Sequence, residues 1–421
     1  PTISDMYKND SELIIMAPLQ IKPHLSIGNI YDLTILDFYS KALRFLGKKA
    51  TLPFLWNING NPLIKQMERM ELETTSKNRD RFIASCFATI EGELRDYYLD
   101  FDFFIRDDQV SNQLKDLMDR SYKQKIKIGK VIINHCGQCG NVFGADPGII
   151  ICKYCGSKTK LAKRLTIYTK VNGSNINKRI NTIKFIPDSA KLKLKNFIST
   201  LPNNYNLIIE KYRKNTLQYN GFTLDPRFVA IMLPAIINVS DYDKKTWIHG
   251  DVIKKFDYYS LCYLNSHDGP TTIISHGILL DKSRKKLRWQ NLDLHKSFSI
   301  EKVHNKILRA YFLNYNVMKD RVFDAENLPK NVAGLLKIYV KIGRVLDKRN
   351  LDESRSDWII HPERIKILQP FDRHVQDFRP DLAFNVLTEY TDWAWKYTKS
   401  NKLNFKEQDI LRQMKNLFFG K

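Results

Sequence analysis

The sequence predicts an α/β protein in which a parallel sheet is split by a small cysteine-bearing insertion and followed by an all-α bundle. Three observations predict this. Near its start the chain runs strand, turn, helix, strand, an order typical of parallel sheets. A paired cysteine array interrupts the middle of the chain. From about residue 301 to the end, apolar residues recur at helical spacing.

The first elements follow from short apolar runs and their boundaries. Residues 13–17 are apolar and end at Pro18, which predicts a buried strand. A helix is expected over about 30–46, because its apolar residues recur with helical spacing and Gly47 stops it. The run TLPFLWNI predicts a second strand. A helix joining two such strands indicates a parallel α/β unit.

The middle of the chain is less regular. Residues 66–125 are charged and read as helical, whereas KRLTIYTK and NKRINTIKFI show strand-like alternation. The run FVAIMLPAIINV predicts another buried strand, and WIHGDVI and PTTIISHGILL predict short strands of the returning sheet. Helices then follow in VHNKILRAYFL, NVAGLLKIYVKIGRVL, FRPDLAFNVLTEYTDWAWKYT and EQDILRQMKNLFF.

These patterns divide the chain into four parts. Residues 1–125 form the first half of the sheet domain and 226–300 its second half. Residues 126–225 form the insertion between the halves, and 301–421 form the helical domain.

Composition narrows the class of protein. Apolar residues make up 43% of the 421, which is enough for large cores and argues against disorder. Lys and Arg outnumber Asp and Glu by 68 to 45, a formal net charge of +23, and this favours a polyanionic partner such as RNA. A lysine-rich genome bias is the alternative. No apolar run is long enough to span a membrane and no signal peptide is visible, so we expect a cytoplasmic protein.

The cysteine array gives the sharpest local signal. Cys136, Cys139, Cys152 and Cys155 form a C-x2-C-x12-C-x2-C pattern, in which each pair makes a tight knuckle. Four thiolates suit tetrahedral Zn²⁺ with no open position, and hence a structural site. A redox role for one pair is the alternative, but it leaves the second pair unexplained. The array predicts structural zinc in a reducing compartment.

Taken together, these stretches resemble a class I aminoacyl-tRNA synthetase, closest to the methionyl branch. Ser26-Ile27-Gly28-Asn29 stands where the family has its HIGH motif, and the cysteine array stands in the family's connective insertion. WIHGDVIKKF resembles the family's returning strand, and IISHGILLDKSRKKLRWQN resembles the stretch that carries the KMSKS loop. Residues 302–346 resemble the link into the anticodon-binding bundle. The resemblance covers about residues 11–400.

The resemblance implies a parallel, Rossmann-like nucleotide-binding sheet split by a zinc-knuckle subdomain, and then an anticodon-binding-like bundle. It implies ATP with Mg²⁺, an amino acid and tRNA as ligands. The family's reaction activates an amino acid with ATP and transfers it to tRNA. That chemistry depends mainly on stabilising charge at the α-phosphate.

The signature motifs depart from the family. Ser26 replaces the first HIGH histidine, Asn29 replaces the second, and Gly28 is retained. His24, two residues earlier, is a possible substitute that would lie elsewhere on the turn. In the KMSKS position, Lys285 and Arg288 keep the two cations that would clamp a triphosphate, although a basic surface turn explains them equally well.

In the same motif, Leu287 and Trp289 replace the family's small serines. The amino-acid pocket also departs from the family, since only residues 57–60 stand for its GTDEHG-type stretch. Trp393 and Trp395 stand near the anticodon-reading pair, but a place in the core suits them better than base stacking.

Four further residues are candidates for the nucleotide cleft, where ligands of parallel sheets bind. They are His249, Asp251, His276 and Gly277, although His249 and Asp251 could equally cap a turn. Cys86 and Cys262 are expected to be buried hydrophobic residues.

Three functions are compatible with this sequence. The first is a methionyl-tRNA-synthetase-like, degenerate paralogue that binds tRNA or another structured RNA with weak or no aminoacylation. The second is a divergent ATP-dependent aminoacyl-tRNA ligase that uses Gly28, Lys285 and Arg288. The third is an amino-acid-adenylating ligase that does not need tRNA.

Overall fold

The structure is a computed structural model, and it describes most of the chain. The described residues are 11–16, 18–58, 63, 66–68, 70–122, 125–138, 142–144, 151–152, 156–201, 205–210, 217–225, 228–229, 232–237, 242–250, 269–285, 287, 302–324, 327–347, 362–399, 403 and 405–420.

A five-stranded parallel sheet lies at the centre of the fold. Its strands, in spatial order, are β3 (Lys49–Thr51), β1 (Ser11–Met16), β13 (Lys244–Gly250), β14 (Thr272–His276) and β9 (Lys184–Ile186). Residues 13–16 and 246–250 are buried, as expected for strands covered on both faces. The register pairs Met16 with Ile248 and Gly250 with His276, so the carboxyl ends of β1, β13 and β14 lie side by side.

Helix α1 (Ile27–Phe45) follows a short strand β2 (Leu19–Gln20). Strand β2 pairs in parallel with β4 (Pro53–Asn57), which pairs with β5 (Phe103–Arg106) in a second, three-stranded sheet. Helix α2 (Ser76–Asp96) precedes β5, and α3 (Ser111–Leu117) follows it and continues into a π-helical turn. The predicted run TLPFLWNI therefore contains all of β4 and only the last residue of β3, Thr51, which belongs to the other sheet.

The cysteine region belongs to an antiparallel sheet with the order β10-β8-β6-β7. Its strands are β6 (Ile126–His135), β7 (Val142–Gly144), β8 (Lys160–Val171) and β10 (Tyr205–Ile208). Helix α4 (Gly173–Thr182), strand β9 and helix α5 (Asp188–Ser199) lie between β8 and β10 in the chain. A small hairpin follows, β11 (Gln218–Tyr219) with β12 (Phe222–Thr223).

The last part of the chain is helical, as the sequence predicts. It contains α6 (Lys302–Leu313), α7 (Leu328–Asp347), α8 (Pro362–Gln376), α9 (Pro380–Tyr397) and α10 (Phe405–Phe419). A parallel two-strand pair, β15 (Leu279–Leu280) with β16 (Arg321–Val322), joins this region to the end of the central sheet. Aromatic contacts connect α1 to α10 and α6. The ring centroids of Phe38 and Phe418 are 5.0 Å apart, and those of Tyr31 and Phe312 are 5.4 Å apart.

Three predicted elements differ from the structure. In FVAIMLPAIINV, residues 228–229 and 232 are helical and Leu233–Ile236 is a 3-10 turn, so no described residue of that run is in a strand. A continuous apolar run does not distinguish a buried strand from a buried helical turn. In NKRINTIKFI, residues 177–182 lie in α4 while 184–186 form strand β9, and the stretch 66–125, predicted to be helical, contains strand β5. The secondary structure of such short polar segments depends more on packing against their neighbours than on alternation of apolar and polar residues.

Within the described part of the chain, no helix combines the length and the apolar character needed to cross a membrane.

Candidate functional site

The turn before α1 is built as a helix cap. Ser26 is the N-cap residue, with extended backbone angles, and its Oγ accepts a hydrogen bond from the N–H of Asn29 at 3.3 Å. The same hydroxyl donates to Asn29 Oδ1 at 2.6 Å, and that oxygen accepts the N–H of Ser26 at 3.3 Å. These reciprocal bonds form a capping box, which satisfies amides that the helix cannot. Ser26 and Asn29 thus stabilise the start of the helix.

A lysine that the sequence analysis did not single out lies at this turn. Lys22 Nζ is 3.4 Å from Ser26 Oγ and also donates to Asn29 Oδ1. The amino end of a 19-residue helix carries partial positive charge, and a cation beside it makes the turn more attractive to an anion. The one feature of the sequence that could have identified Lys22 is its position four residues before the N-cap residue Ser26.

Gly28 leaves open space at the same turn. Apart from the backbone of its own helix, a Cβ built on Gly28 would meet one non-neighbouring atom within 4 Å among the described residues, Ser26 Oγ at 4.0 Å. The backbone of the first helical turn is therefore accessible on this side. That fits the close approach of a ligand, which a side chain would obstruct.

His24, the possible substitute for the missing histidine, is engaged elsewhere. Its Nδ1 lies 2.8 Å from Glu93 Oε1, and the second oxygen of Glu93 accepts the N–H of Leu25 at 2.7 Å. Glu93 belongs to α2, so this pair of contacts fixes the loop against that helix. His24 holds the turn in place through Glu93.

The ends of β13 and β14 bring a histidine and two glycines to the same region. His276 is buried, and its Nε2 lies 3.9 Å from Asp32 Oδ1 on the first part of α1. A Cβ on Gly250 would lie 2.8 Å from His276 Cε1 and 3.1 Å from Asp32 Oδ1, so a side chain there would push these groups apart. A Cβ on Gly277 would lie 2.2 Å from the backbone of Lys319. Both glycines are required by close packing.

The two histidines at these strand ends make backbone contacts. His276 Nδ1 lies 2.9 Å from Gly277 O and therefore carries the proton there, because a carbonyl oxygen can only accept. Its Nε2 faces Asp32 Oδ1. His249 is also buried, with Nδ1 against Gly250 O. Asp251 lies outside the described residues.

The signature-like loop is a tight, hydrogen-bonded turn. Asp281 Oδ1 accepts the hydroxyl of Ser283 at 2.7 Å and the N–H of Lys285 at 2.9 Å. These bonds hold the pKa of Asp281 below its ordinary value, with the Ser283 hydrogen bond as the largest cause. Leu287, which stands for a family serine, is buried and donates its N–H to Leu279 O at 3.0 Å. Lys285 is exposed, and Arg288 and Trp289 lie outside the described residues.

The two tryptophans near the family's anticodon-reading position pack against the core. Trp393 stacks on Tyr397, with ring centroids 5.0 Å apart, and both Trp393 and Trp395 are partly buried against core residues. Cys86 is buried in α2, and burial raises the pKa of its thiol to about 12. These residues occupy the core positions expected for them, whereas Cys262 lies outside the described residues.

The structure describes two of the four cysteines that are predicted to bind zinc. Cys136 and Cys152 are 0% and 1% exposed, and Cys139 and Cys155 lie outside the described residues. The described residues contain no group of three or more possible metal ligands, so the four-cysteine site stays a prediction.

The surrounding backbone fits that prediction. Gly156, the residue after the second pair, has a φ of +76° and donates its N–H to the backbone oxygen of Cys152 at 2.9 Å. The hydroxyl of Ser157 donates to Gln138 Oε1, and this bond ties the second turn to the first. Two buried cysteines on linked turns suit the donor set of a structural zinc knuckle.

Comparison with solved structures gives the same fold from independent coordinates. Mycobacterium tuberculosis methionyl-tRNA synthetase bound by methionyl-adenylate matches over 97% of this chain and 89% of its own, with 12% identity and a TM-score of 0.67. The apo form of that synthetase matches over 97% and 86%, with 13% identity and a TM-score of 0.62. LeuRS of Agrobacterium radiobacter K84, in a ternary complex with tRNA and LeuAMS, matches over 98% and 84%, with 9% identity and a TM-score of 0.75.

No protein-family model matches the chain, and no curated protein sequence matches it. At such low sequence identities the structural likeness is evidence of fold. The resemblance predicted from the sequence is confirmed at that level: over nearly its whole length, this chain has the fold of the class I aminoacyl-tRNA synthetases.

Proposed function

We propose that this chain is a methionyl-tRNA-synthetase-like protein that binds tRNA or another structured RNA and has weak or no aminoacylation activity. The observation that carries the proposal is the capping box at the start of α1. Ser26 and Asn29, which stand where the family has its two HIGH histidines, hydrogen-bond to each other and cap the helix.

The chemical consequence concerns the α-phosphate. Adenylation needs donors that are fixed in place where negative charge develops, and cationic or strongly polarised donors serve best. The Ser26 hydroxyl is neutral and donates to Asn29 Oδ1. His24 is tied to Glu93. Neither residue supplies the donor that the family's first histidine provides.

The charge of the chain supports RNA as the partner. A net charge of +23 on 421 residues attracts polyanions, and contacts between cations and phosphates release counterions. A fold that covers most of a tRNA synthetase offers surface for a structured RNA.

Fluorescence anisotropy with labelled tRNA transcripts tests RNA binding. We expect binding whose affinity falls steeply and linearly on a logarithmic salt scale, with a slope of about −0.9 for each phosphate contacted on a duplex. A matched double-stranded DNA of equal length is the control for simple charge attraction. Equal affinity for tRNA and DNA, or no binding of tRNA at moderate salt, would contradict the proposal.

A second candidate, a divergent aminoacyl-tRNA ligase or an amino-acid-adenylating ligase, is favoured by Lys22. Its ammonium lies at the amino end of α1, where a phosphate of ATP, with its Mg²⁺, would be bound. Lys285 and Arg288 would clamp the triphosphate, and Gly28, His249, Asp251, His276 and Gly277 would line the nucleotide.

ATP–pyrophosphate exchange with each amino acid in turn decides between the candidates. Exchange with one amino acid that is lost in Lys22→Met would establish the ligase, whereas silence with every amino acid would reject it. Exchange without any RNA binding would identify an adenylating enzyme that no longer uses tRNA.

Our proposal includes a structural zinc held by Cys136, Cys139, Cys152 and Cys155. Four thiolates fill the coordination of Zn²⁺, so this metal would stabilise the hairpin of β6 and β7 and supply no chemistry to a reaction.

A further inference from the structure

A pocket of about 770 Å³ lies outside the nucleotide cleft, between the β15–β16 pair, the carboxyl end of α6 and the start of α7. The polar residues that line it include Arg284, Asn314, Tyr315, Asp320, Arg321 and Asn331. Two of these are arginines and one is an aspartate, so the local charge is positive. Arg284 lies on the signature-like loop beside Lys285, whereas the other five residues lie outside the HIGH-like and KMSKS-like motifs.

Arg321 is held in a fixed position in this pocket. Its guanidinium carbon lies 3.6 Å from the ring centroid of Tyr311 and 4.7 Å from that of Tyr315. Its Nη1 donates to Tyr311 O at 2.7 Å. Two ring faces and one backbone oxygen therefore fix the plane of the guanidinium before any ligand arrives.

Among the described residues, no carboxylate lies within salt-bridge distance of Arg321, and its guanidinium is hydrogen-bonded to Tyr311. The nearby Asp320 accepts the N–H of Ile278 through Oδ1 at 2.9 Å. Burial lowers the pKa of Arg321, which means that the charged form is incompletely solvated. A partly buried charge without a counter-charge is costly, and an anion would offset that cost.

Arg284 brings a second cation to the mouth of the same pocket. It stands on the Asp281–Lys285 turn with a φ of +59°, and it is exposed. Its backbone N–H donates to Asp281 O at 2.9 Å, which fixes the turn. Asn314 and Asn331 line the same pocket on the helical side. Guanidinium groups and amides are donors that suit the oxygens of a phosphate.

We infer that this pocket binds the phosphate group of a nucleotide, with Arg321 as the fixed guanidinium donor and Arg284 as the outer cation. The phosphate could belong to an RNA strand or to a free nucleotide. The RNA source rests on the proposed function, whereas the free nucleotide does not.

The test uses the full-length protein with Arg284→Ala, Arg321→Lys and the double variant. Arg81→Ala, which removes an exposed arginine of α2, is the matched control. We expect tRNA affinity by anisotropy to fall about 10-fold in Arg321→Lys and about 3-fold in Arg284→Ala, because each loses a charged hydrogen bond. The salt slope should fall by about 1 in the Arg284 variant. If both side chains hold one phosphate, their effects should be non-additive.

The source of the phosphate is distinguished by calorimetric titration with AMP in the absence of RNA. Weakened tRNA binding in both variants supports the pocket with RNA as the source. The inference also holds if AMP binding is weakened in both variants while tRNA binding is unchanged, or while the wild type binds no RNA. In that case a free nucleotide is the source of the phosphate. Variants that bind tRNA and AMP as Arg81→Ala does would overturn the inference. Because Arg284 is exposed, its variant tests the pocket even if Arg321→Lys is unstable.

Discussion

Ser26 shows how one residue can take a different role from the one its motif position suggests. Its hydroxyl joins Asn29 in a reciprocal cap at the start of α1. Such caps stabilise helices because the first amides have no partner inside the helix. The nearby Lys22 is the cation at this turn, and the sequence alone gave little reason to select it.

Replacing Ser26 with Ala should lower the free energy of unfolding by roughly 1 kcal/mol, since the cap hydrogen bond is lost. Urea unfolding followed by circular dichroism measures this. Ser76→Ala, at an exposed serine of α2, should change stability by less than about 0.5 kcal/mol. If Ser26→Ala is as stable as Ser76→Ala, the side chain does not function as a cap.

At the level of elements, a buried ion pair connects α1 to the helical region. Arg309 Nη2 of α6 lies 2.5 Å from Asp37 Oδ2 of α1, and both side chains are 1% exposed. The contact is a close charge pair, and its geometry is not that of an aligned hydrogen bond. Arg309 also donates to Leu417 O at 2.8 Å, and Asp37 accepts the N–H of Asp100 at 2.8 Å. The pair therefore links three helices and the loop after α2.

Asp37→Ala should lower the free energy of unfolding by about 3–5 kcal/mol, because it leaves the Arg309 charge buried without its partner. Urea unfolding followed by tryptophan fluorescence measures the change. The control, Asp377→Ala, breaks an exposed pair with Arg373 and should cost less than about 1 kcal/mol. The double variant Asp37→Ala/Arg309→Met should be less destabilised than Asp37→Ala alone. Equal costs for the buried and exposed pairs would contradict this account.

The Asp281 turn is an element whose order depends on one carboxylate. The folded pKa of Asp281 lies below its ordinary value, chiefly because the Ser283 hydroxyl donates to it. The stability that the Asp281 carboxylate gives to the folded turn is therefore fully present above the ordinary carboxyl pKa. That stability is lost as the pH falls through the lower pKa of the folded state. At neutral pH the turn should be fully ordered.

Asp281→Ala should speed amide hydrogen exchange across residues 281–287 at neutral pH, since the Lys285 N–H loses its acceptor. Hydrogen-exchange mass spectrometry measures this, with the exposed Asp80→Ala as the control. Exchange in this segment that matches the wild type would show that the turn does not depend on Asp281.

At the scale of the whole molecule, the cysteine region lies in the chain between strands β1 and β13 of the central sheet. We expect one zinc ion per chain by elemental analysis, and its loss in Cys136→Ser. Because zinc binding stabilises folding, hydrogen exchange should rise in residues 126–171 in that variant. Cys86→Ala, at a buried cysteine of α2, should keep the metal. Zinc retained in Cys136→Ser, or absent from the wild type, would contradict the four-cysteine site.

Much of the fold could be predicted from the sequence, because strands and helices each leave a recognisable pattern of apolar residues. Strands β1, β13 and β14 are short apolar runs, and α9 and α10 repeat apolar residues at helical spacing. Such patterns follow from burial of one face or of both. The run FVAIMLPAIINV was predicted wrongly, because its continuous apolar character allows either a strand or a helical turn. Strand β5 was missed, because its half-exposed residues show no clear alternation.

The sequence by itself determined the local features: the paired cysteines, the helical end and the excess of positive charge. Each of these depends on residues that are near one another in the chain, or on composition alone. The tertiary structure decided which distant groups meet. Register between β13 and β14 places Gly250 beside His276 and Asp32, and folding of α6 against β16 clamps Arg321 between two tyrosines. Those contacts arise from sheet register and helix packing, which no short stretch of sequence encodes.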